Sequence, residues 1–271
     1  MIEVLEGVLG APVALDELKH KPGRRRTLRA RGSRRTAIAK VYTSDRASLV
    51  ARRVAALAGG PPEPLVPEVL LVDPSRHLVV LSDVPGRPLR HALLDGDGAT
   101  CSRAGRALGT WHAAWTGRAP APLRPHTIER ELEILRARAQ IASPAVVRAV
   151  LEALPGLDAE WAATTVVHRD LYEEQVLVAE RIGLIDVDDA ALGPPELDVG
   201  NLVAHIDLLG RRRGRDLGPA TRTLLDGYAE TGPALDAALR DRCRSLTLLR
   251  LACLNDDTGL VEAALGQRAV A

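Results

Sequence analysis

The chain contains no phenylalanine, and its aromatic residues are three Trp and three Tyr. Its core must therefore be assembled from Leu, Val and Ala. Cysteine is scarce as well. Cys101, Cys243 and Cys253 are an odd number, widely spaced and without a CxxC pair, which argues against a disulfide framework and predicts free thiols in a reducing cytoplasm. No apolar run approaches the roughly 18 residues that crossing a bilayer requires. The opening MIEVLEGVLGAPVALDELKH carries acids early and lacks a basic start before an apolar stretch, so no secretory signal is expected. An excess of either charge is missing too: the formal net charge is +1, unlike a general nucleic-acid or membrane-surface binder. Lysine is the most selective shortage, since only Lys19, Lys21 and Lys40 stand among 36 basic residues. What is present suffices for a globular protein. With 271 residues, 46% of them hydrophobic, the chain can bury a full core in one large domain or two lobes.

No internal repeat divides the sequence, and its first third reads as short strands. TLRARG (27–32) and TAIAKVY (36–42) flank a Gly-Ser turn, which predicts a hairpin. Ser44 and Asp45 then cap a helix with Leu49, Val50, Val54 and Leu57 on one face, stopped by Gly59, Gly60 and two prolines. EVLLVD (68–73) and HLVVLSD (77–83) are two further strands around a Pro-Ser turn. After VPGRP (84–88) the texture becomes helical. Ala104, Leu108, Trp111 and Trp115 recur at helical spacing, Thr127 opens a second helix, and Ser143-Pro144 opens a third. VVH (166–168), VLV (176–178) and GLIDV (183–187) are too short for helices and read as strands, the last two a hairpin around Arg181. From about 197 to 265 helices return. The expectation is an α+β protein of two lobes. Residues 1–83 form a small antiparallel sheet with one helix, and residues 84–271 a larger, mainly helical lobe.

VVHRDLYEEQVLV (166–178) sets a charged cluster between two apolar runs. His168, Arg169 and Asp170, with an amide, Gln175, five positions after the Asp, have the spacing of a phosphoryl-transfer catalytic loop. A carboxylate beside an acceptor hydroxyl orients it and takes its proton, and an amide oxygen one loop away reaches a metal ion on a nucleotide. Sixteen residues after Asp170, in GLIDVDDAALGPPELDVGN, Asp186 ends an apolar strand, the place for an acid that bridges magnesium to phosphates. Asp188 and Asp189 beside it fit a solvated acidic turn. No His/Cys set at zinc spacing, no GxSxG and no P-loop GK[ST] is present. His112 reads as a core or groove residue, and His205 as packing behind the site.

On these motifs the segment 166–205 resembles the aminoglycoside phosphotransferase family of protein-kinase-like enzymes, which phosphorylate small molecules. The resemblance implies a two-lobed kinase-like fold over nearly the whole chain. It also implies ATP and Mg²⁺ as cofactors and a small hydroxylated acceptor as partner, with neither nucleic acid nor membrane involved. It would make Asp170 the catalytic base, Gln175 and Asp186 the metal ligands, and Asp198 a buttress of the catalytic loop. In the first lobe, Lys40 is placed as the strand lysine that holds the α- and β-phosphates. Ile38, two residues earlier on the same side of the strand, would line the adenine pocket. The backbone C=O of Ser82 and N–H of Val84 would bind the adenine edge as a hinge.

Some features depart from that pattern. Gln175 is a methylene longer than the usual Asn. Residues 42–62 contain no Glu to pair with Lys40, and Arg52 and Arg53 stand in that helix instead, so Lys40 either finds another carboxylate or waits for nucleotide. In place of a glycine-rich loop the chain has HKPGRRRTLRARGSRR (20–35). That stretch is a solvated hairpin face, or Arg24 to Arg26 close over nucleotide phosphates, or it serves an anionic acceptor or nucleic acid, a reading that the near-neutral charge and the lack of interleaved aromatics weaken. Glu173, Glu174, Asp256 and Asp257 either favour a cationic amino sugar or amino alcohol or are surface charges. Between Asp186 and Asp198 lie eleven residues without Ser, Thr or Tyr, which leaves no phosphorylation-ordered loop and little platform for a peptide. The competing reading is a catalytically inactive pseudokinase that binds nucleotide or acts as a scaffold.

Overall fold

Alternation places Leu28 and Ala30 on one face of β2 (Arg25–Arg31), and Ala37 and Ala39 on one face of β3 (Thr36–Tyr42). Burying those faces together makes the expected hairpin, with Leu28 opposite Ala39 and Ala30 opposite Ala37. The computed structural model describes residues 1–158 and 160–266. Two elements that the sequence reading missed precede this hairpin, α1 (Ile2–Leu9) and β1 (Ala14–Lys21). β1 pairs antiparallel with β2 and is exposed along nearly its whole length. Its charged side chains have no apolar period to read, and they suit a sheet edge because charge discourages pairing with another chain.

α2 (Arg46–Ala56), β4 (Val69–Asp73) and β5 (Leu78–Ser82) complete an antiparallel sheet in the order β1-β2-β3-β5-β4. α1 lays Leu5 and Leu9 over one sheet face, against Ala37, Ala39, Leu78 and Val80. The other face meets α2 through Tyr42, Val79 and Leu81, so the pleat turns Ile38, Lys40 and Tyr42 towards the second lobe. The buried stripe of α2 is Ala47, Val50, Ala51 and Val54; Leu49 is only partly covered, and Asp45 stands at the N-cap without a capping bond from its side chain.

The second lobe runs β6 (Arg87–Pro88), α3 (Arg90–Asp95), α4 (Gly98–Trp115), α5 (Ile128–Ala139) and α6 (Pro144–Ala153). Then come β7 (Thr165–Val167), β8 (Val176–Val178), β9 (Ile182–Leu184) and β10 (Ala191–Gly193). α7 (Pro195–Arg213), α8 (Gly218–Thr231), α9 (Ala237–Asn255) and α10 (Thr258–Leu265) follow. Thr127 and Ser143 cap α5 and α6 through their side-chain oxygens, as expected. β8 and β9 form the hairpin around Arg181, while β7 pairs with β10, a strand the sequence did not reveal. α4 and α8 lie so close that a Cβ on Gly105 would collide with the carbonyl oxygen of Leu224, and one on Gly227 with that of Ser102. Cys101, Cys243 and Cys253 are buried free thiols. Among the described residues, no helix is long and apolar enough to cross a membrane.

A buried acid ties α5 to α9. Glu131 is 4% exposed and accepts hydrogen bonds from His126 Nε2 at 2.9 Å and Arg250 Nη1 at 3.0 Å. Burial alone would raise its carboxyl, but Arg250 and His126 outweigh burial and hold it at about 2, below the ordinary 4.5. A carboxylate depressed on folding contributes stability that is complete above the unfolded value and disappears as pH falls through the folded one. Glu131 should therefore contribute roughly 3 kcal/mol at neutral pH, lost between about pH 4.5 and 2. Urea unfolding across acid pH should show that decline, and Glu131→Gln should begin less stable and decline less steeply. Parallel pH profiles for the two proteins would refute this.

Candidate active site

The segment from His168 to Gln175 crosses from β7 to β8 and is fixed at both ends by one residue. His168 Nε2 donates to the carbonyl of Ile185 at 2.8 Å, and Nδ1 accepts the N–H of Asp170 at 3.3 Å, so the ring carries its proton on Nε2. Ile185 in turn donates its N–H to the carbonyl of Gln175 at 3.0 Å. Asp186, the next residue, is thereby placed against the loop. From the first turns of α7, Asp198 accepts the N–H groups of His168 (2.6 Å) and Arg169 (2.8 Å), and Asn201 donates to the carbonyl of Leu171 (2.7 Å). Burial would raise the carboxyl of Asp198, but His112 outweighs it, and the net direction is down. His112 is more than core filling. Its Nε2 stands 3.3 Å from Asp198 and its Nδ1 2.8 Å from the hydroxyl of Tyr228, so α4 and α8 hold the acid that holds the loop. Arg169 and Asp186 have left-handed backbones, with φ of 71° and 60°. Such strain persists only where surrounding bonds over-determine it.

Asp188 is not solvated, contrary to expectation. It is 2% exposed and accepts from Lys40 Nζ (2.6 Å), the Tyr42 hydroxyl (2.6 Å) and Arg25 Nη1 (2.5 Å). Lys40 also reaches Asp186 at 2.7 Å. Lys40 thus finds its carboxylates in Asp186 and Asp188, since residues 42–62 contain no Glu. The arginines of α2 fit this reversed polarity. Arg53 donates to the carbonyl of Asp188 (3.0 Å), and Arg46 pairs with Asp189 (2.5 Å), whose side chain stays 47% exposed. The basic stretch likewise splits. Arg26 pairs with Glu17 at the surface, whereas the side chain of Arg25 is 12% exposed and bonds Asp186 at 3.2 Å. Burial favours the neutral acid at Asp186, but Lys40 and Arg25 outweigh burial and hold its carboxyl far below the usual range. Burial, with Asp188 beside it, pushes the Tyr42 hydroxyl up. Asp186 and Asp188 are two apart across a turn, as Lys40 and Tyr42 are on one strand face, but that spacing does not by itself pair them.

Between the sheet and the loop lies a cleft of about 740 Å³. Ile38, Lys40, Ser82, Val84, Gln175 and Asp186 all line it. Asp170 lines an adjoining recess with Asp186, Lys21, Arg24 and Arg25. Gly183 packs closely beneath Val84, where an added Cβ would come within 2.4 Å of Val84 Cγ1. His205 stacks behind the loop on Tyr172, with ring centroids 5.0 Å apart, and burial aided by Arg250 and Arg212 lowers it to about 3. The four remaining acids separate. Asp256 accepts the N–H of Ser143, Asp257 caps α10, and neither lines the cleft. Glu174 lines it and pairs with Arg90 at 2.7 Å. Glu173 is 8% exposed, its Oε2 has no hydrogen-bond partner among the described residues, and burial raises it to about 7.

Among the described residues, no cluster of three or more His, Cys, Asp or Glu side chains is arranged to hold a metal ion. Asp186 and Gln175 nevertheless offer a carboxylate and an amide oxygen in one cleft. That donor set suits Mg²⁺, which takes one or two protein oxygens and completes its shell with water and phosphate.

The family model described as phosphotransferase enzyme family matches residues 23–239. Among solved structures, choline kinase LicA from Streptococcus pneumoniae is similar, with 13% identity, 99% of each chain covered and a TM-score of 0.67. Macrolide 2′-phosphotransferase MphH from Brachybacterium faecium is 18% identical, with 97% of this chain and 96% of that chain covered and a TM-score of 0.61. A thermostable mutant of aminoglycoside phosphotransferase APH(4)-Ia, in ternary complex with AMP-PNP and hygromycin B, is 17% identical, with 98% and 95% covered and a TM-score of 0.61. No curated protein matches the sequence. These likenesses show a two-lobed, protein-kinase-like α+β fold.

Proposed function

Because this chain belongs to the phosphotransferase enzyme family, we propose that it transfers the γ-phosphoryl group of ATP to a hydroxyl of a small molecule. The observation that carries this reading is the meeting of Lys40, Gln175 and Asp186 in one cleft, with Asp170 in the recess that adjoins it. In this reading the lobe ending at residue 83 binds nucleotide. Ile38 and Val84 form an apolar wall for adenine, and the backbone C=O of Ser82 and N–H of Val84 pair with its edge. Lys40 neutralises the α- and β-phosphates. Asp186 and Gln175 would hold Mg²⁺, which when bound supplies positive charge for the transferring phosphoryl group. Asp170 orients the acceptor hydroxyl and takes its proton as the new O–P bond forms and the bond from the γ-phosphorus to the ADP oxygen breaks.

The acceptor class is a hydroxylated small molecule such as an aminoglycoside, sugar or amino alcohol. The similar proteins are named for choline, macrolides and aminoglycosides. A peptide acceptor fits poorly, because the segment between Asp186 and Asp198 is consumed by a buried turn, β10 and the start of α7. The buried thiols suit a reducing compartment, and we place the protein in the cytoplasm.

Melting with ATP alone, Mg²⁺ alone and both together tests the reading. Nucleotide at 100 times its Kd should add about 2.7 kcal/mol, and the shift should require both components. No shift at millimolar nucleotide rejects a nucleotide-binding protein altogether. A shift without slow ATP hydrolysis that Asp186→Ala abolishes would favour the inactive alternative.

A further inference from the structure

Arg25 starts on the basic hairpin but ends inside the site. Its guanidinium forks onto Asp186, Nη1 to Oδ1 and Nη2 to Oδ2, both at 3.2 Å, and Nη1 also meets Asp188 at 2.5 Å. Its Cζ lies 5.9 Å from the ring centroid of Tyr42. Both oxygens of the carboxylate assigned to the divalent cation are therefore engaged by a fixed positive charge. A cation approaching Asp186 competes with Arg25 for the same lone pairs and meets its repulsion. Two more cations of the same hairpin tip, Lys21 and Arg24, line the recess shared with Asp170. The chain has no glycine-rich loop there whose backbone N–H groups would cradle phosphates. The planar fork that grips a carboxylate also fits a phosphate, and Arg makes both contacts with two parallel bonds.

Building on the nucleotide-binding reading, we propose that Arg25 is a phosphate-binding residue that occupies the cation position on Asp186 until metal and nucleotide arrive together. It then exchanges Asp186 for oxygens of the β- or γ-phosphate, so the guanidinium keeps an anionic partner while the cation takes its place on Asp186. The hairpin supplies by side-chain charge what a glycine-rich loop supplies by backbone.

Two measurements on the unaltered chain, Arg25→Met and Arg25→Lys test both halves. In the first, Mn²⁺ binding without nucleotide is followed by electron paramagnetic resonance. Arg25→Met should bind Mn²⁺ at least about tenfold more tightly than the unaltered chain, because Oδ2 of Asp186 is freed and Lys40 alone holds Oδ1. In the second, calorimetry compares ATP with adenosine in the presence of Mg²⁺. Arg25→Met should lose about tenfold or more in ATP affinity and keep its adenosine affinity, since one charge-assisted fork is removed. Arg25→Lys keeps the charge without the fork and should lose ATP affinity by a smaller factor, a readout that survives if Arg25→Met fails to fold. Unchanged Mn²⁺ affinity in folded Arg25→Met overturns the occupancy of the cation position. An unchanged ratio of ATP to adenosine affinity in both variants overturns the phosphate role and leaves a structural ion pair. Failure of the unaltered chain to bind ATP with Mg²⁺ is a separate result, and it sinks the functional reading itself.

Discussion

Asp170→Asn is expected to lower turnover by roughly 10²- to 10⁴-fold, the usual contribution of a positioned general base, while ATP affinity stays within about twofold. The structure allows this separation because, among the described residues, no hydrogen bond of the scaffold runs through the carboxylate of Asp170. The loop is fixed through the backbone N–H groups of His168 and Arg169, the carbonyl of Leu171 and the ring of His168. Among the described residues, Asp170 joins this scaffold through its backbone N–H, which His168 Nδ1 accepts, and Asn keeps that bond. The proposed nucleotide cleft is lined by Ile38, Lys40 and Asp186, whereas Asp170 lies in the adjoining recess. Steady-state kinetics with an accepted hydroxyl compound, set beside calorimetric ATP binding, separates the two effects. Turnover near that of the unaltered chain would remove Asp170 from the proposed mechanism.

The second large effect is on stability. Asp188→Ala should cost about 3–5 kcal/mol, the range for removing one partner from a buried ion pair. Lys40, with its side chain 5% exposed, and Arg25 would be left to share Asp186 alone, and the Tyr42 hydroxyl would lose its acceptor. Two controls bracket the cause. Tyr42→Phe removes a single neutral donor and should cost about 1 kcal/mol. Asp189→Ala acts on a half-exposed carboxylate, and its pair with Arg46 should be worth less than about 1 kcal/mol. Urea unfolding at neutral pH measures all three. If Asp188→Ala and Asp189→Ala cost the same, the buried cluster carries no special weight and the solvated acid expected from sequence returns.

That pair of aspartates shows where sequence reading ended. The hairpin, the α2 segment, the capped helices and the loop with Asp170, Gln175 and Asp186 were legible because each is encoded locally, by period, cap or spacing. The missing helix glutamate was equally visible. Its substitute was not, because Asp188 and Asp189 look alike in the chain. What distinguishes Asp188 is a lysine 148 residues away, a tyrosine 146 away and an arginine 163 away. Arg25 was legible only as one of Arg24 to Arg26 in a basic run with several readings, and its pairing with Asp186 and Asp188 was hidden for the same reason. β1 offered no apolar alternation, and β10 is three residues long. The limit was long-range side-chain pairing, which no window of sequence contains.

The close approach of α4 and α8 acts as a gauge for the proposed reacting centre. The spacing of the two helix backbones sets where Tyr228 meets His112, His112 sets the aim of Asp198, and Asp198 sets the two peptide groups that precede Asp170. In the proposed mechanism helix spacing is thus a catalytic dimension as well as a packing one. Glycines remote from the cleft determine how finely the Asp170 carboxylate would be pointed.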